Sequence, residues 1–395
     1  MDCQFIDQGD YFKCENCGTV KQRVTRRQCP TTGGLGNAVA RITSSVGIRK
    51  CGGCTRRQGW LNRLTPWTKR ADVVLLFPAK SDPDWLETRG ELVGQLLEKN
   101  GHTAFIATMQ TRRLDELQEI IDTLNPRIIV NRAFFVNQDI IGQAARKNRG
   151  TRFVTVNHSS YAYTHASDNW IRQQAASIEL AHELPNVFCA HVDERNIHGQ
   201  LGLRRCIYFP NVVTQPEATA RPLAQMDRPL VTIAGRLHLV KNQLQQMMAV
   251  RMVRDARALL VMKADDELPR LAADSIGLDY DLVPWLRWRA WHELLAERVA
   301  VGMQASFSES FNYVALEHMQ LGRPVVGSTA IRYLPAEWQA DADSPAAMAA
   351  VLRSHLDNWA ERSEQAIDIA GQVMKRNNAA FLDTVAQLLK RKHGF

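Results

Sequence analysis

The chain has 395 residues, 45% of them apolar and 23% charged, which is long enough for two ordinary domains with an appendage and excludes a disordered protein. No stretch approaches the ~18 uninterrupted apolar residues of a membrane span, and the opening MDCQFIDQGDYFKC lacks the basic and apolar regions of a secretory leader, so the expected compartment is the cytoplasm. The net charge of +8 belongs to one end: residues 1–70 hold thirteen Lys/Arg against four Asp/Glu, a balance of +9, and the remainder is near neutral at 36 against 37.

That basic end also holds six of the eight cysteines. Cys14-x-x-Cys17 and Cys51-x-x-Cys54 are knuckles of the kind that close a tetrahedral thiolate zinc site, and a segment this short and polar needs such a staple. The separation of the knuckles exceeds that of a usual zinc ribbon, so Cys29 stands as an alternate ligand. Basic pairs such as Arg26-Arg27 and Arg56-Arg57, with Trp60 and Trp67 nearby, suit phosphate contacts and base stacking, which makes an acidic acceptor or a nucleic acid the expected partner. The competing reading is a solvated basic surface around a structural metal.

From Ala71 the pattern changes. Apolar runs at 73–77, 103–107, 127–130, 152–156 and 186–190 read as buried strands, with helical stretches at 85–99, 114–124 and 137–146 between them. Alternation at this spacing predicts a parallel, doubly wound sheet over residues 71–213. His158 stands just past the carboxyl end of one strand, with His165 as a spare candidate nearby. Residues 214–227, rich in Pro, Ala and Gln, read as a linker.

A second domain is expected over 228–365. Residues 228–243 read RPLVTIAGRLHLVKNQ: a buried strand, then Gly235-Arg236, then Lys241-Asn242 opening a helix. Strands follow at 259–262 and 281–283, and then a run dense in tryptophan and arginine, residues 284–291, PWLRWRAW. Trp285 suits stacking on a nucleobase; packing of the sheet against a helix is the competing role for each of these tryptophans. Residues 306–328, SFSESFNYVALEHMQLGRPVVGS, predict a polar turn, a helix starting near Phe311 or Asn312, a stop at Gly322-Arg323-Pro324 and a strand from Val325. With about six helical steps of about 1.5 Å between them, Glu309 and Glu317 are expected roughly 9 Å apart along the axis. Residues 366–395 predict a final helical stretch to about Lys390 and a frayed basic end.

Glu309, Phe311, Glu317 and the closing GRPVVGS resemble the E-x7-E motif of the retaining, group 1 type glycosyltransferases of GT-B architecture, and GRLHLVKN resembles the segment whose arginine and lysine neutralise the donor diphosphate in that family. Cys206 to Asn211 is similar to the PN element before its interdomain linker. Residues 33–62 resemble a small module associated with phage and prophage proteins. The resemblance implies two Rossmann-like domains, an N-terminal acceptor domain and a C-terminal domain binding a nucleoside diphosphate sugar. It implies that Arg236, Lys241 and the helix start at Ser310, Phe311 and Asn312 hold the diphosphate. It further implies that Glu317 holds the ribose and that Glu309 and His158 contact the sugar, with no catalytic metal required. Where the family has a glycine-rich loop after its first strand, this chain has Pro78-Ala79-Lys80-Ser81-Asp82-Pro83, a loop that must work differently and leaves the detailed donor pose open.

The expected protein is an α/β, two-domain GT-B hexosyltransferase with a small zinc-ribbon-like module, acting with retention on an acceptor that includes modified DNA among the candidates. Two other readings use the same residues. A sugar-nucleotide 2-epimerase shares the fold and the nucleotide logic, and a non-catalytic nucleic-acid-binding protein would rest on the basic module alone.

Overall fold

Runs such as Val73-Val74-Leu75-Leu76-Phe77 are apolar on both faces, which a strand tolerates only when helices cover the sheet on either side. The computed structural model describes residues 70–78, 90–110, 112–165, 167–194, 205–216, 218, 229–235, 238–262 and 267–390, with three short strands near the start. Those strands, β1 (Phe5–Asp7), β2 (Phe12–Cys14) and β3 (Val20–Lys21), form a small antiparallel sheet. The rest is α/β, built on two parallel sheets flanked by helices, as expected. It divides into two compact units.

The first unit is built on β4 (Val73–Pro78), β5 (Ala104–Met109), β6 (Ile128–Arg132), β7 (Arg152–Asn157), β8 (Val187–His191) and β9 (Cys206–Tyr208), paired in the order β5-β4-β6-β7-β8-β9. Every neighbour pair is parallel. Helices α1 (Leu92–Lys99), α2 (Leu114–Leu124), α3 (Gln138–Lys147) and α5 (Asp168–Glu183) cover it; the short α4 (Tyr161–His165) belongs to the second unit. Local chemistry sets the helix ends. Asn137 accepts Asp139 N–H to start α3, and Asn125 in left-handed backbone ends α2 just before Pro126. One core packs Phe105, Leu117, Ile121, Ile141 and Phe153 between sheet and helices.

The second unit is built on β10 (Leu230–Ala234), β11 (Arg257–Met262), β12 (Tyr280–Pro284), β13 (Val299–Gln304) and β14 (Val325–Gly327), in the order β12-β11-β10-β13-β14, again parallel throughout. Its helices are α6 (Gln243–Arg251), α7 (Leu268–Ser275), α8 (Trp288–Arg298), α9 (Tyr313–Gln320), α10 (Pro345–Asp357) and α11 (Trp359–Lys390). The tryptophan-rich run thus opens a helix. The last helix begins at Trp359, earlier than the expected residue 366, because α10 stops at Asp357 and no proline intervenes.

From Phe381 onward α11 belongs to the first unit, where Phe381 stacks edge-on against Phe209 and Thr384 Oγ1 donates to Tyr208 O. Residues 211–214 are held in the second unit by side chains of two helices: Tyr313 donates to Val212 O, Gln320 to Thr214 O, and Asn378 bonds both backbone groups of Val213. Among the described residues no helix is long and apolar enough to cross a membrane.

Candidate active site

In the second unit the chain leaves β10 toward β11 and β12 on one side and returns to β13 and β14 on the other. At such a reversal the loops after the two central strands diverge and leave a crevice at their carboxyl ends, the usual ligand position in open parallel sheets. Here the loops are residues 235–242 and 305–312. They contain every donor-site candidate of this unit except Glu317, which lies one turn into α9.

The first loop leaves β10 through Gly235, whose φ of 135° a side chain would resist. Arg236 lies outside the described residues. His238 Nδ1 accepts Val240 N–H and starts a single 3-10 turn, Leu239–Lys241, with its ring tilted at 36° against that of Tyr163 of α4. Asn242 then adopts left-handed backbone, φ 56°, where asparagine is tolerated better than most residues. Its amide donates to Ala305 O at 3.0 Å and Ala342 O at 2.6 Å, and Phe307 N–H donates to Val240 O at 2.8 Å. The two loops are therefore bonded together on either side of Lys241.

That rigidity aims the lysine. Its Nζ donates to Glu309 Oε1 at 2.6 Å, with the glutamate side chain only 8% exposed and the lysine 32%. Asn312 completes the arrangement with all of its amide: Nδ2 donates to Glu309 Oε1 at 3.0 Å and to Gln304 Oε1 at 3.1 Å, while Oδ1 accepts Ala315 N–H at 2.9 Å and caps α9. The Tyr333 hydroxyl donates to Asn312 O. Burial first, then the negative charges of Glu309 and Glu317, push the Tyr333 hydroxyl well above its ordinary range, so it stays a donor. Ser310 is half-buried in the turn, and Phe311 packs edge-on against Tyr313 and lies against Tyr333. The Phe311 ring thus packs at the helix start.

Of the eight steps from Glu309 to Glu317 only the four after Tyr313 are helical, fewer than the six expected, because the Asn312 cap delays the helix. Glu317 is 7% exposed, and the Trp291 indole N–H donates to its Oε2 at 2.9 Å. Trp285, the candidate for base stacking, is 50% exposed at the end of β12, whereas Trp291 is buried. Beside them His318 is fully buried. Its Nδ1–H donates to Val314 O at 2.7 Å, which leaves Nε2 to accept from Thr232 Oγ1 at 2.5 Å, and burial pushes its pKa down to about 4.

Sequence reasoning missed Trp291, Gln304 and the double role of Asn312. A faint signal existed for Gln304, a polar residue closing the apolar run of β13.

In the first unit His158 follows β7, and buried Arg132 donates its Nε–H to His158 Nε2 at 3.1 Å. A nitrogen that accepts carries no proton, so His158 has its ring proton on Nδ1. Arg132 ends β6 and leads into Ala133 and Phe134, both with left-handed backbone, φ 52° and 55°. The turn is clamped by Asn131, whose side chain bonds both backbone groups of Val136. Two successive non-glycine residues in that region mark a constrained turn at the carboxyl rim of the sheet. His165 ends α4.

Of the metal-ligand candidates, Cys17, Cys29, Cys51 and Cys54 lie outside the described residues, and Cys14 is the last residue of β2. Among the described residues no group of three or more His, Cys, Asp or Glu is placed to hold a metal ion.

No protein-family model and no curated protein matches the sequence. Solved structures do match. Sucrose-phosphate synthase from Thermosynechococcus elongatus is similar over 80% of this chain and 97% of its own, at 14% identity and a TM-score of 0.56. HepE of Anabaena, in complex with UDP and glucose, is similar over 81% and 99%, at 13% identity and a TM-score of 0.60. A glycosyltransferase from Rickettsia africae is similar over 82% and 100%, at 12% identity and a TM-score of 0.59. At these identities the likeness concerns the fold, and the fold of this chain is GT-B.

Proposed function

We propose that the protein transfers a sugar, of hexosyl type, from a nucleoside diphosphate sugar to an acceptor with retention of configuration. The observation that carries this reading is the Lys241–Glu309 pair beside the Asn312-capped start of α9, at the reversal point of the second sheet. A cation, a helix N-terminus and a carboxylate at one crevice suit two parts of such a donor, the diphosphate and the sugar hydroxyls. Support comes also from the ligands of two structures of like fold, UDP with glucose in HepE and UDP-2-fluoro glucose in a trehalose-6-phosphate protein from E. coli.

In this reading Lys241 and Arg236 neutralise the diphosphate, and the turn Ser310-Phe311-Asn312 presents the helix start to it. Glu317 accepts from the ribose hydroxyls, and Glu309 accepts from the sugar. His158 is assigned to the sugar by the family resemblance. The acceptor hydroxyl replaces the diphosphate at the anomeric carbon. Charge accumulates on the departing diphosphate as that bond breaks, and fixed cations in a dry site stabilise it better than water does. The division into an acceptor domain at 71–213 and a donor domain at 228–365 belongs to the same proposal. So does a zinc module over residues 1–70, held by Cys14, Cys17, Cys51 and Cys54 with Cys29 as alternate, that brings an acidic acceptor such as modified DNA.

Saturation-transfer NMR against UDP-, GDP- and ADP-sugars, on wild type and Glu317→Ala, tests the donor site. Binding of one sugar nucleotide that the variant loses is the expected result. No binding in wild type sinks the reading.

A further inference from the structure

We infer that Trp291 is a positioning residue for the donor's ribose, acting through Glu317; this rests on the proposed donor site. The indole N–H reaches Glu317 Oε2 at 2.9 Å, and both residues are more than nine-tenths buried. A carboxylate buried to this degree must be hydrogen-bonded, and a cation would satisfy it most strongly. One of its hydrogen bonds here comes from a neutral donor. Trp291 donates without charge, and His318, whose ring lies 5.4 Å from that of Trp291, is kept unprotonated by burial. The Glu317 carboxylate plane is thereby fixed from behind.

Four further contacts show that this pose is built. Arg323, within GRPVVGS, donates to Leu295 O at 3.2 Å and Ala296 O at 2.6 Å, two of the carbonyls that the end of α8 leaves without helical partners. Leu295 is one turn after Trp291, so this arginine sets the height of the indole along the helix. On the other side the His318 ring lies against Gly302 of β13, where an added Cβ would stand 2.7 Å from His318 Cδ2. Thr232 of β10 holds the same ring at Nε2. Strand, imidazole and indole therefore form one packed series ending at the Glu317 carboxylate.

An acceptor held in one plane discriminates sugars by what they donate. A ribose supplies hydroxyls to the anion, and a sugar lacking the 2′-hydroxyl leaves that acceptor with a buried deficit. Trp291→Phe keeps the apolar bulk and removes the N–H, which frees the carboxylate to turn away.

The test compares, by calorimetry, UDP, GDP and ADP with their 2′-deoxy counterparts on wild type, Trp291→Phe and Trp291→His. Wild type is expected to bind one ribonucleotide about 10-fold more tightly than its deoxy form, the scale of a hydrogen bond to a charged group. Trp291→Phe should bring that ratio close to one while leaving the deoxynucleotide affinity within about twofold, since the apolar contacts remain. Trp291→His, which retains a ring N–H, should recover part of the ratio. An unchanged ratio in Trp291→Phe overturns the inference while leaving the donor site standing. Absence of any nucleotide binding in wild type removes both. Should the Phe variant fail to fold, wild type carrying indole-¹⁵N tryptophan gives the same answer. An indole N–H signal that moves with the ribonucleotide and not with the deoxy form supports the role, and no such signal overturns it.

Discussion

Lys241 Nζ and Glu309 Oε1 lie 2.6 Å apart although 68 residues separate them in the chain. Each residue is delivered by a loop that leaves a neighbouring strand, and the bonds from Asn242 to Ala305 O and from Phe307 N–H to Val240 O hold the loops in register. The ammonium is thus oriented before any ligand arrives. Preorganised charge of this kind is what a developing diphosphate anion requires.

Removing that charge should affect binding before stability. Lys241→Met is expected to weaken nucleoside diphosphate affinity about 10- to 100-fold, the range for loss of a charged hydrogen bond. Titration calorimetry at low and high salt checks it, and an unchanged affinity would remove Lys241 from the diphosphate site.

Asn312 is a stability residue as well as a site residue. Asn312→Ala loses the α9 cap and leaves the buried Gln304 Oε1 and Glu309 Oε1 short of a donor. A cost of about 2–3 kcal/mol in urea unfolding is expected, roughly 1 from the cap and the rest from the orphaned Gln304 Oε1, since Glu309 Oε1 still accepts from Lys241. Asn312→Asp keeps the cap oxygen but removes the same donor and faces Glu309 with a second carboxylate, so it should lose donor binding at a stability cost at least as large.

Two buried histidines make the fold sensitive to mild acid. Burial lowers both His318 and His355 from the ordinary value of 6.5 to about 4. The unfolded chain then binds protons that the folded chain refuses between pH 6.5 and 4. Stability from these groups is complete above pH 6.5 and falls as the pH drops toward 4, by up to about 3 kcal/mol per residue. His355→Gln keeps a donor for Val325 O and removes the titration. Urea unfolding of this variant at pH 7 and pH 5 should show a smaller difference than wild type, and an equal difference would contradict the assignment.

The turn after β6 stores strain. Ala133 has φ 52°, a conformation that costs an L-residue roughly 1 kcal/mol and glycine almost nothing. Ala133→Gly should therefore be neutral or stabilising by up to about 1 kcal/mol in thermal unfolding, against the usual penalty for added glycine.

Much of the chain was legible before folding was considered. The helix expected near Asn312 starts there because the asparagine caps it, and it stops where Gly322 takes left-handed backbone at φ 66°. The strands at 73–77 and 152–156 were readable because burial on both faces leaves an unbroken apolar run. Trp291 was not singled out from Trp285 and Trp288, since three tryptophans within seven residues look alike until one helix face is chosen. Phe311 was readable as part of the polar turn, and its ring contacts with Tyr313 and Tyr333 were not.

By itself the sequence determined the elements, their parallel α/β alternation and the residues worth suspecting, because apolar periodicity, caps and helix stops act within a few residues. Tertiary structure alone decided the partners. Glu317 meets Trp291 across 26 residues and Asn242 meets Ala342 across 100. Such contacts depend on which strands pair and in what order, and no local preference encodes that order. The aim of each carboxylate follows from those partners, and so the chemistry of the crevice exists only in the folded chain.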